Sequence, residues 1–362
     1  MKGPLVSILI NNRNYAAYLA EAIESALRQT YTPVEVVVVD DGSTDDSRVV
    51  MDRYAGKIEA IERPHGGQAA AFNAAVEAAR GEVLFFLDAD DVCEERRVEE
   101  VMTVLLEVDP VVEGAALLFH PQRFCDAAGR ATPKVFPPRL VRIEAYRRGI
   151  RAESFAEGAM AVISTPTQAG QFLVDKHYLP FLSSATSGMA ITRPMAQRLF
   201  PLPERGITIC ADSFLSLGAL LEGPVILVNR ELSRFRMHGK NRYMLSRKRP
   251  NADLFFNQRD AYLNALAARQ GLPQAILTLD NWERVRRYLR NKPIREILVL
   301  LMRSETRQYA AMLLRGLVSR AVAGCWRGRL AGPARSVPVS MVGPLEASKS
   351  GHLPKAARGL SS

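Results

Sequence analysis

Leu5–Ile10 is an unbroken apolar run that stops at Asn11-Asn12-Arg13-Asn14, the pattern of a short strand covered on both faces. From Tyr15 the apolar positions become Tyr18, Leu19, Ala22, Ile23, Ala26 and Leu27, a helical spacing that Pro33 closes. Val34–Val39 reads as a second buried strand, ending in Asp40-Asp41-Gly42-Ser43-Thr44-Asp45. Gly42 supplies a turn there, and Ser43 or Thr44 is placed to cap a helix over 45–55. Residues 57–62 make a third strand, Gly66-Gly67 a loop, and Gln68–Arg80 an Ala-rich helix stopped by Gly81. Glu82–Leu87 is a fourth strand, ending in Asp88-Ala89-Asp90-Asp91.

This alternation predicts an α/β fold, a parallel sheet with helices on both faces. Ligands of such sheets bind at the carboxyl ends of the strands. Asn11–Asn14, Asp40-Asp41, the Gly66-Gly67 loop and Asp88–Asp91 therefore share one rim. Beyond a helix at about 94–108 the rhythm loosens. Ala115–His120 and Gln122–Cys125 read as strands, with a hairpin turn over 126–129. Residues 130–165 carry no clear pattern. Ser187–Thr192 reads as a strand, followed by a helix started by Pro194; Ala211–Glu222 is a helix opening at Asp212-Ser213, and Val225–Val228 a strand. Residues 250–325 read as several basic amphipathic helices, and 331–362, rich in Gly, Pro, Ser and Ala, as a disordered tail.

Composition narrows the class. The chain has 362 residues, 48% hydrophobic and 24% charged, which excludes disorder for most of it and excludes a disulfide-stapled miniprotein. Cys93, Cys125, Cys210 and Cys325 lie far apart without a CxxC pair, which argues against a zinc site and fits reduced thiols in a cytoplasmic setting. The N-terminal apolar run is too short for a signal peptide, and no stretch reaches the ~18 apolar residues of a membrane span.

Charge is divided unevenly. Residues 1–229 hold 22 Lys and Arg against 30 Asp and Glu, whereas 230–362 hold 26 against 8, a net +18. A basic tail on an acidic body predicts an anionic partner for the tail. Arg295, Arg303, Arg307, Arg315 and Arg320 are interleaved with apolar positions, as in helices that lie on an anionic membrane surface. A helical subdomain packed on the body is the competing expectation. Aromatic stacking residues are sparse there, which speaks against nucleic acid.

Four constellations carry candidate chemistry. Asp88, Asp90 and Asp91 are costly to bring together unless a cation neutralises them, and Mg2+ or Mn2+ is the natural hard ion for oxygen ligands. Asp40 and Asp41 either cap a turn or accept a hydrogen bond from a base. Asp212 either caps its helix or serves as a general base. Arg236-Met237-His238-Gly239-Lys240-Asn241 is either a solvated basic loop or a site for a diphosphate or a metal.

Taken together, Ile8–Tyr15, Val38–Asp45, Gly66–Asn73, Leu87–Asp91, Ala211-Asp212 and Arg236–Asn241 resemble, in order and spacing, the motifs of glycosyltransferase family 2. The resemblance covers about residues 5–243. It implies a GT-A-type, Rossmann-like, mostly parallel sheet and an inverting enzyme that uses a nucleotide sugar. It implies a catalytic domain over 1–245, with 1–110 the nucleotide-sugar half and 111–245 the acceptor half, leaving 246–330 as a basic helical region. By this resemblance Asn11 and Asp41 contact the nucleobase, with Asp41 facing the uracil N3–H of a UDP donor. Asp88 lies on the ribose or phosphate side, Asp90 ligates the metal with Asp91 beside it, and His238 belongs to the loop over the diphosphate or ligates the metal. Asn14, Asn73 and Arg236 are further nucleotide-sugar contacts, and Asp212 is the catalytic base. Two positions depart from the family pattern: Ala211 precedes the base where Glu is usual, and Phe72 stands where many members carry Arg. The implied partners are a nucleotide-sugar donor, a glycan or lipid-linked acceptor and an anionic inner membrane face. The rival expectation is a catalytically idle nucleotide-sugar or membrane-surface binding module.

Overall fold

The computed structural model describes residues 3–112, 114–136, 160–176, 179, 184–239, 241 and 252–272. The chain opens β1 (Val6–Asn12), α1 (Ala16–Leu27), β2 (Val34–Asp41), α2 (Ser47–Asp52), β3 (Glu59–Arg63), α3 (Gln68–Ala78) and β4 (Val83–Asp88), the predicted alternation. Then come β5 (Val92–Cys93), α4 (Arg97–Val112), β6 (Leu117–Phe119), β7 (Gln122–Cys125), β8 (Ala131–Phe136), β9 (Met160–Ser164) and α5 (Pro166–Lys176). A 3-10 turn at Thr186–Gly188 leads into β10 (Met189–Thr192), α6 (Arg193–Leu199), α7 (Asp212–Glu222), β11 (Val225–Val228), β12 (Ser233–Arg236) and α8 (Ala252–Arg269).

The main sheet runs β3-β2-β1-β4-β10-β6-β11-β9. β3, β2, β1 and β4 are mutually parallel, so their carboxyl ends form one rim as expected. β10 departs from the parallel expectation: it pairs antiparallel with both β4 and β6. The chain enters β10 at the carboxyl end of β4, where Ser187 accepts the Asp88 N–H at 3.0 Å, and runs back along it. β5-β12-β7-β8 form a second, smaller sheet.

Period-two alternation sorts the core. Leu9, Val37, Val39, Leu84 and Phe86 face α3, α6, α7 and α8, while Ile8, Ile10, Val36, Val38, Phe85 and Leu87 face α1 and α4. β3 is an edge strand with Glu59 and Glu62 exposed, charges that discourage pairing with another chain.

Local caps differ from expectation at α2. Asp45, not Ser43 or Thr44, takes the Ser47 N–H at 3.1 Å, and its other oxygen takes the Ala16 N–H at 2.9 Å. Ser43 is instead bonded to Asp40, and the Thr44 N–H to Asn14.

α8, expected among the basic amphipathic helices of 250–325, packs on the body. Phe255, Leu263, Leu266 and Ala267 are buried in the core against α7, and Phe255 meets Phe214 edge-on with ring centroids 5.6 Å apart. The Tyr262 hydroxyl donates to Leu199 O at 2.7 Å, and Arg269 pairs with the buried Glu222. The body thus runs past the boundary expected at residue 245. The readings of Lys240, of the remaining helices to 325 and of the tail from 331 lie outside the described residues. No helix among the described residues is long and apolar enough to cross a membrane.

Candidate active site

The strand ends bring four polar loops together. Asn11, near the end of β1, donates to Asp88 Oδ1 at 2.7 Å, and the buried Asn12 donates to Asp40 Oδ1 at 2.6 Å. Asn14 turns the chain with a φ of +58°, a conformation Asn tolerates, and its Oδ1 accepts the Thr44 N–H at 2.7 Å. Asp41 is buried at the end of β2. Its Oδ1 accepts from Arg63 at 2.6 Å and from the Gly66 N–H at 2.9 Å; its Oδ2 lies 2.7 Å from His65 Nδ1 and accepts the Gly67 N–H at 2.8 Å. This carboxylate knits the β3–α3 loop to the rim.

Asp88 closes β4 and Asp90 and Asp91 follow it, and a ligand atom from each of the three lies within 4.8 Å of the others. Burial and the neighbouring charges of Asp90, Asp91 and Asp212 raise the Asp88 carboxyl well above the ordinary range. Burial first, and then Asp90, push Asp91 up to about 8. Three carboxylates so crowded favour either protons or a cation. Asn11 Oδ1, on the same rim, is buried with no hydrogen-bond partner among the described residues. The donor set is all oxygen, which suits Mg2+ or Mn2+.

The cluster is held from three sides. Ser187 donates to Asp91 Oδ2 at 2.6 Å while accepting from the Asp88 N–H. The Arg236 N–H donates to Asp91 Oδ1 at 2.9 Å. His238 Nε2 lies 2.9 Å from Asp90 Oδ2, its side chain 2% exposed and packed on the Tyr15 and Tyr18 rings. Behind β4, the fully buried Arg97 donates to Phe86 O and Met189 O, both at 3.1 Å, and to His120 at 3.0 Å. Burial and the Arg97 charge hold His120 down at about 3, so it is neutral and can accept.

Asp212 is the first residue of α7, after Ala211 at the N-cap, and its Oδ1 accepts the Ser213 N–H at 3.0 Å. The peptide before it is tied to the acidic loop by Gln68, which accepts the Ala211 N–H at 2.9 Å and donates to Asp88 Oδ1 at 3.4 Å. Arg236 and Asn73, both expected as ligand contacts, are engaged by protein groups. Arg236 is 1% exposed; its guanidinium donates to Asp90 O, Ala127 O and Glu21 and lies over the Tyr18 ring. Through these contacts it braces the loop that carries His238. Asn73 both donates to and accepts from the Leu202 backbone, at 2.9 and 2.8 Å.

A glycosyl transferase family 2 model matches residues 7–126, the span that contains all four rim loops. Over 245 residues, 66% of this chain, the sequence is 31% identical to an uncharacterized glycosyltransferase of Nostoc sp. (strain PCC 7120), covering 66% of that protein. The chain belongs to glycosyltransferase family 2. A second relative, an uncharacterized glycosyltransferase of Rickettsia prowazekii, is 38% identical over 106 residues, which are 29% of this chain and 33% of that protein. The chain thus spans about two thirds of the first relative's length and a third of the second's. Among solved structures, S. aureus TarS 1–349 in complex with UDP-GlcNAc is similar at 17% identity and a TM-score of 0.47, covering 73% of this chain and 72% of that one.

Within this family 2 domain, sequence reading passed over Thr186, Ser187 and Gln68, each of which hydrogen-bonds the acidic loop. Ser187 looked like the first residue of a strand; its contact with Asp91 spans 96 residues and leaves no local signal. Gln68 lies inside a quoted motif, but its partners are set only by the fold. Asn241, in contrast, was named with its loop, and it lies 3.5 Å from Asp90 Oδ2.

Proposed function

We propose that this chain is a metal-dependent, inverting glycosyltransferase that moves a sugar from a nucleotide-sugar donor, UDP-linked by preference, to an acceptor hydroxyl. The observation that carries the reading is Gln68, whose amide bonds both the Ala211 N–H, directly before Asp212, at 2.9 Å and Asp88 Oδ1 at 3.4 Å. A module that only binds its ligand has no use for a carboxylate in that place.

Asp90, with Asp88 and Asp91, would hold Mg2+ or Mn2+. When bound, such an ion supplies positive charge against the departing diphosphate. Asn11 and Asp41 address the nucleobase from β1 and β2, and Asn14 shapes the loop between them. His238 and Asn241 approach Asp90 from the opposite strap and close the diphosphate side. Asp212 accepts the proton of the acceptor hydroxyl. The acceptor oxygen forms the new bond to the anomeric carbon as the bond to the diphosphate oxygen breaks, and the diphosphate leaves with the electron pair. One in-line displacement inverts that carbon.

The acceptor belongs to a glycan or lipid-linked class, and the net +18 of residues 230–362 supports peripheral attachment to an anionic membrane face. A mass-spectrometric screen of UDP-, GDP- and dTDP-sugars with Mn2+ tests the reading. Release of a nucleoside diphosphate from a UDP-sugar supports it. Binding of donors without turnover of any would leave a binding module instead.

A further inference from the structure

We infer that Gln68 and Asn73, two amide side chains on α3, are positioning residues that clamp the segment carrying Asp212 and set it against Asp88. This rests on the reading of Asp212 as the base.

The segment 202–211 contains neither helix nor strand, yet it must deliver Asp212 to the rim. α3 holds both of its ends. At one end Asn73 Oδ1 accepts the Leu202 N–H at 2.8 Å, and Asn73 Nδ2 donates to Leu202 O and to Glu204 Oε1, both at 2.9 Å. At the other, Gln68 Oε1 accepts the Ala211 N–H at 2.9 Å, the peptide directly before Asp212. The same Gln68 amide donates through Nε2 to Asp88 Oδ1 at 3.4 Å, the oxygen that Asn11 also reaches.

The backbone supports the clamp. Gln68 N–H and Ala69 N–H donate to Thr208 O and Ile207 O, each at 3.4 Å. Gly67 has a φ of +96°, and a Cβ there would lie 2.6 Å from Ile207 O, so only glycine permits the approach. Cys210 takes a φ of +62°, turning the chain into α7.

The two faces of Gln68 demand different atoms. The Ala211 peptide needs an acceptor, and the Asp88 carboxylate needs a donor, so an amide fits where Glu or Leu does not. It is a neutral spacer joining two carboxylate-bearing elements that would otherwise repel.

The test uses the full chain and three variants: Gln68→Met, which keeps the side-chain volume and loses both bonds, Asp212→Asn, and the double variant. Gln68→Met should lower kcat by about 10-fold or more, the scale of a small misplacement at a reacting centre, with the donor KM changed by no more than about 3-fold. In the Asp212→Asn background it should add little, because both act through one group. In the metal-free protein, hydrogen exchange over 207–213 should quicken in Gln68→Met while β1 and β4 stay protected. If the Met variant does not fold, Asn73→Asp, which keeps the acceptor for Leu202 and loses the donor, is read by the same exchange and kinetics. Multiplying losses in the double variant, or unchanged exchange and turnover in Gln68→Met, would overturn the clamp. Near-normal turnover in Asp212→Asn would overturn the base assignment instead.

Discussion

His238 Nε2 lies 2.9 Å from Asp90 Oδ2, so the loop after β12 of the small sheet reaches the acidic loop that follows β4 of the large one. Arg236 secures the crossing from below, with its guanidinium on Asp90 O and Glu21. Residues from opposite ends of the domain are thereby fixed around one carboxylate.

Removing Asp90 should abolish turnover and leave the fold intact. Asp90→Asn eases the crowding of the three carboxylates and keeps a hydrogen-bonding oxygen for His238. The check is activity with Mn2+ alongside circular dichroism; turnover undiminished in the variant, or wild-type turnover undiminished in excess EDTA, would refute metal dependence.

Metal should stabilise the protein more at pH 8 than at pH 5. The folded-state carboxyl of Asp91 is raised from 3.8 to about 8, and Asp88 is raised as well. The folded protein therefore holds more protons than the unfolded chain across this window, and these groups withdraw stability as pH rises through it. Glu35 and Asp45 are lowered despite partial burial, because hydrogen bonds favour their charged forms, and their contribution is lost as pH falls below about 4. A divalent ion replaces the protons on the acidic loop, and an ion present at ~100 times its Kd adds about 2.7 kcal/mol. Melting curves in EDTA and in Mn2+ should separate as pH rises; curves that coincide at pH 8 would speak against the site.

Asp212→Asn should reduce turnover by about 100-fold or more, the scale of general-base loss, with donor affinity retained. Asn keeps an oxygen for the Ser213 N–H, so the substitution removes the charge and leaves that first-turn bond in place. Calorimetry of donor binding beside steady-state kinetics checks both halves.

Asp41→Asn should weaken UDP and also lower the melting temperature. The carboxylate accepts from Arg63 and two backbone N–H groups and faces His65, and an amide offers one oxygen in place of two. Loss of one such charged hydrogen bond costs about 1.5–3 kcal/mol. UDP should bind more tightly than GDP to the wild type; a preference for GDP would reassign the base site.

Much of the rim was legible because buried parallel strands end in abrupt polar clusters, and Asn11, Asp41 and Asp88 each fall at such a boundary. The antiparallel β10 was not legible, since four buried residues reveal no direction. Arg236 read as a ligand contact because a cation beside His238 suggests phosphate; its burial under Tyr18 and Glu21 depends on α1, 215 residues away from it along the chain. For α8 the amphipathic pattern left membrane surface and packed helix both open, and the contact of Phe255, Leu263 and Leu266 with α7 depends on the fold.

Truncation separates the body from the tail. Ending the chain after residue 245 removes these buried side chains, each worth about 1.5–3 kcal/mol, and should destabilise the whole domain. Ending it after 272 should keep fold and turnover while losing flotation with phosphatidylglycerol vesicles at low salt. Full-length protein that stays at the bottom of the gradient would refute membrane attachment.

The most direct measurement is nucleoside diphosphate release from a UDP-sugar, followed in Mn2+ and in excess EDTA, for wild type and Asp212→Asn. The expected result is release by the wild type in Mn2+ and loss of most of it in EDTA or in the variant. Equal release in all four conditions, or none in any, would contradict a metal-assisted transfer that depends on Asp212.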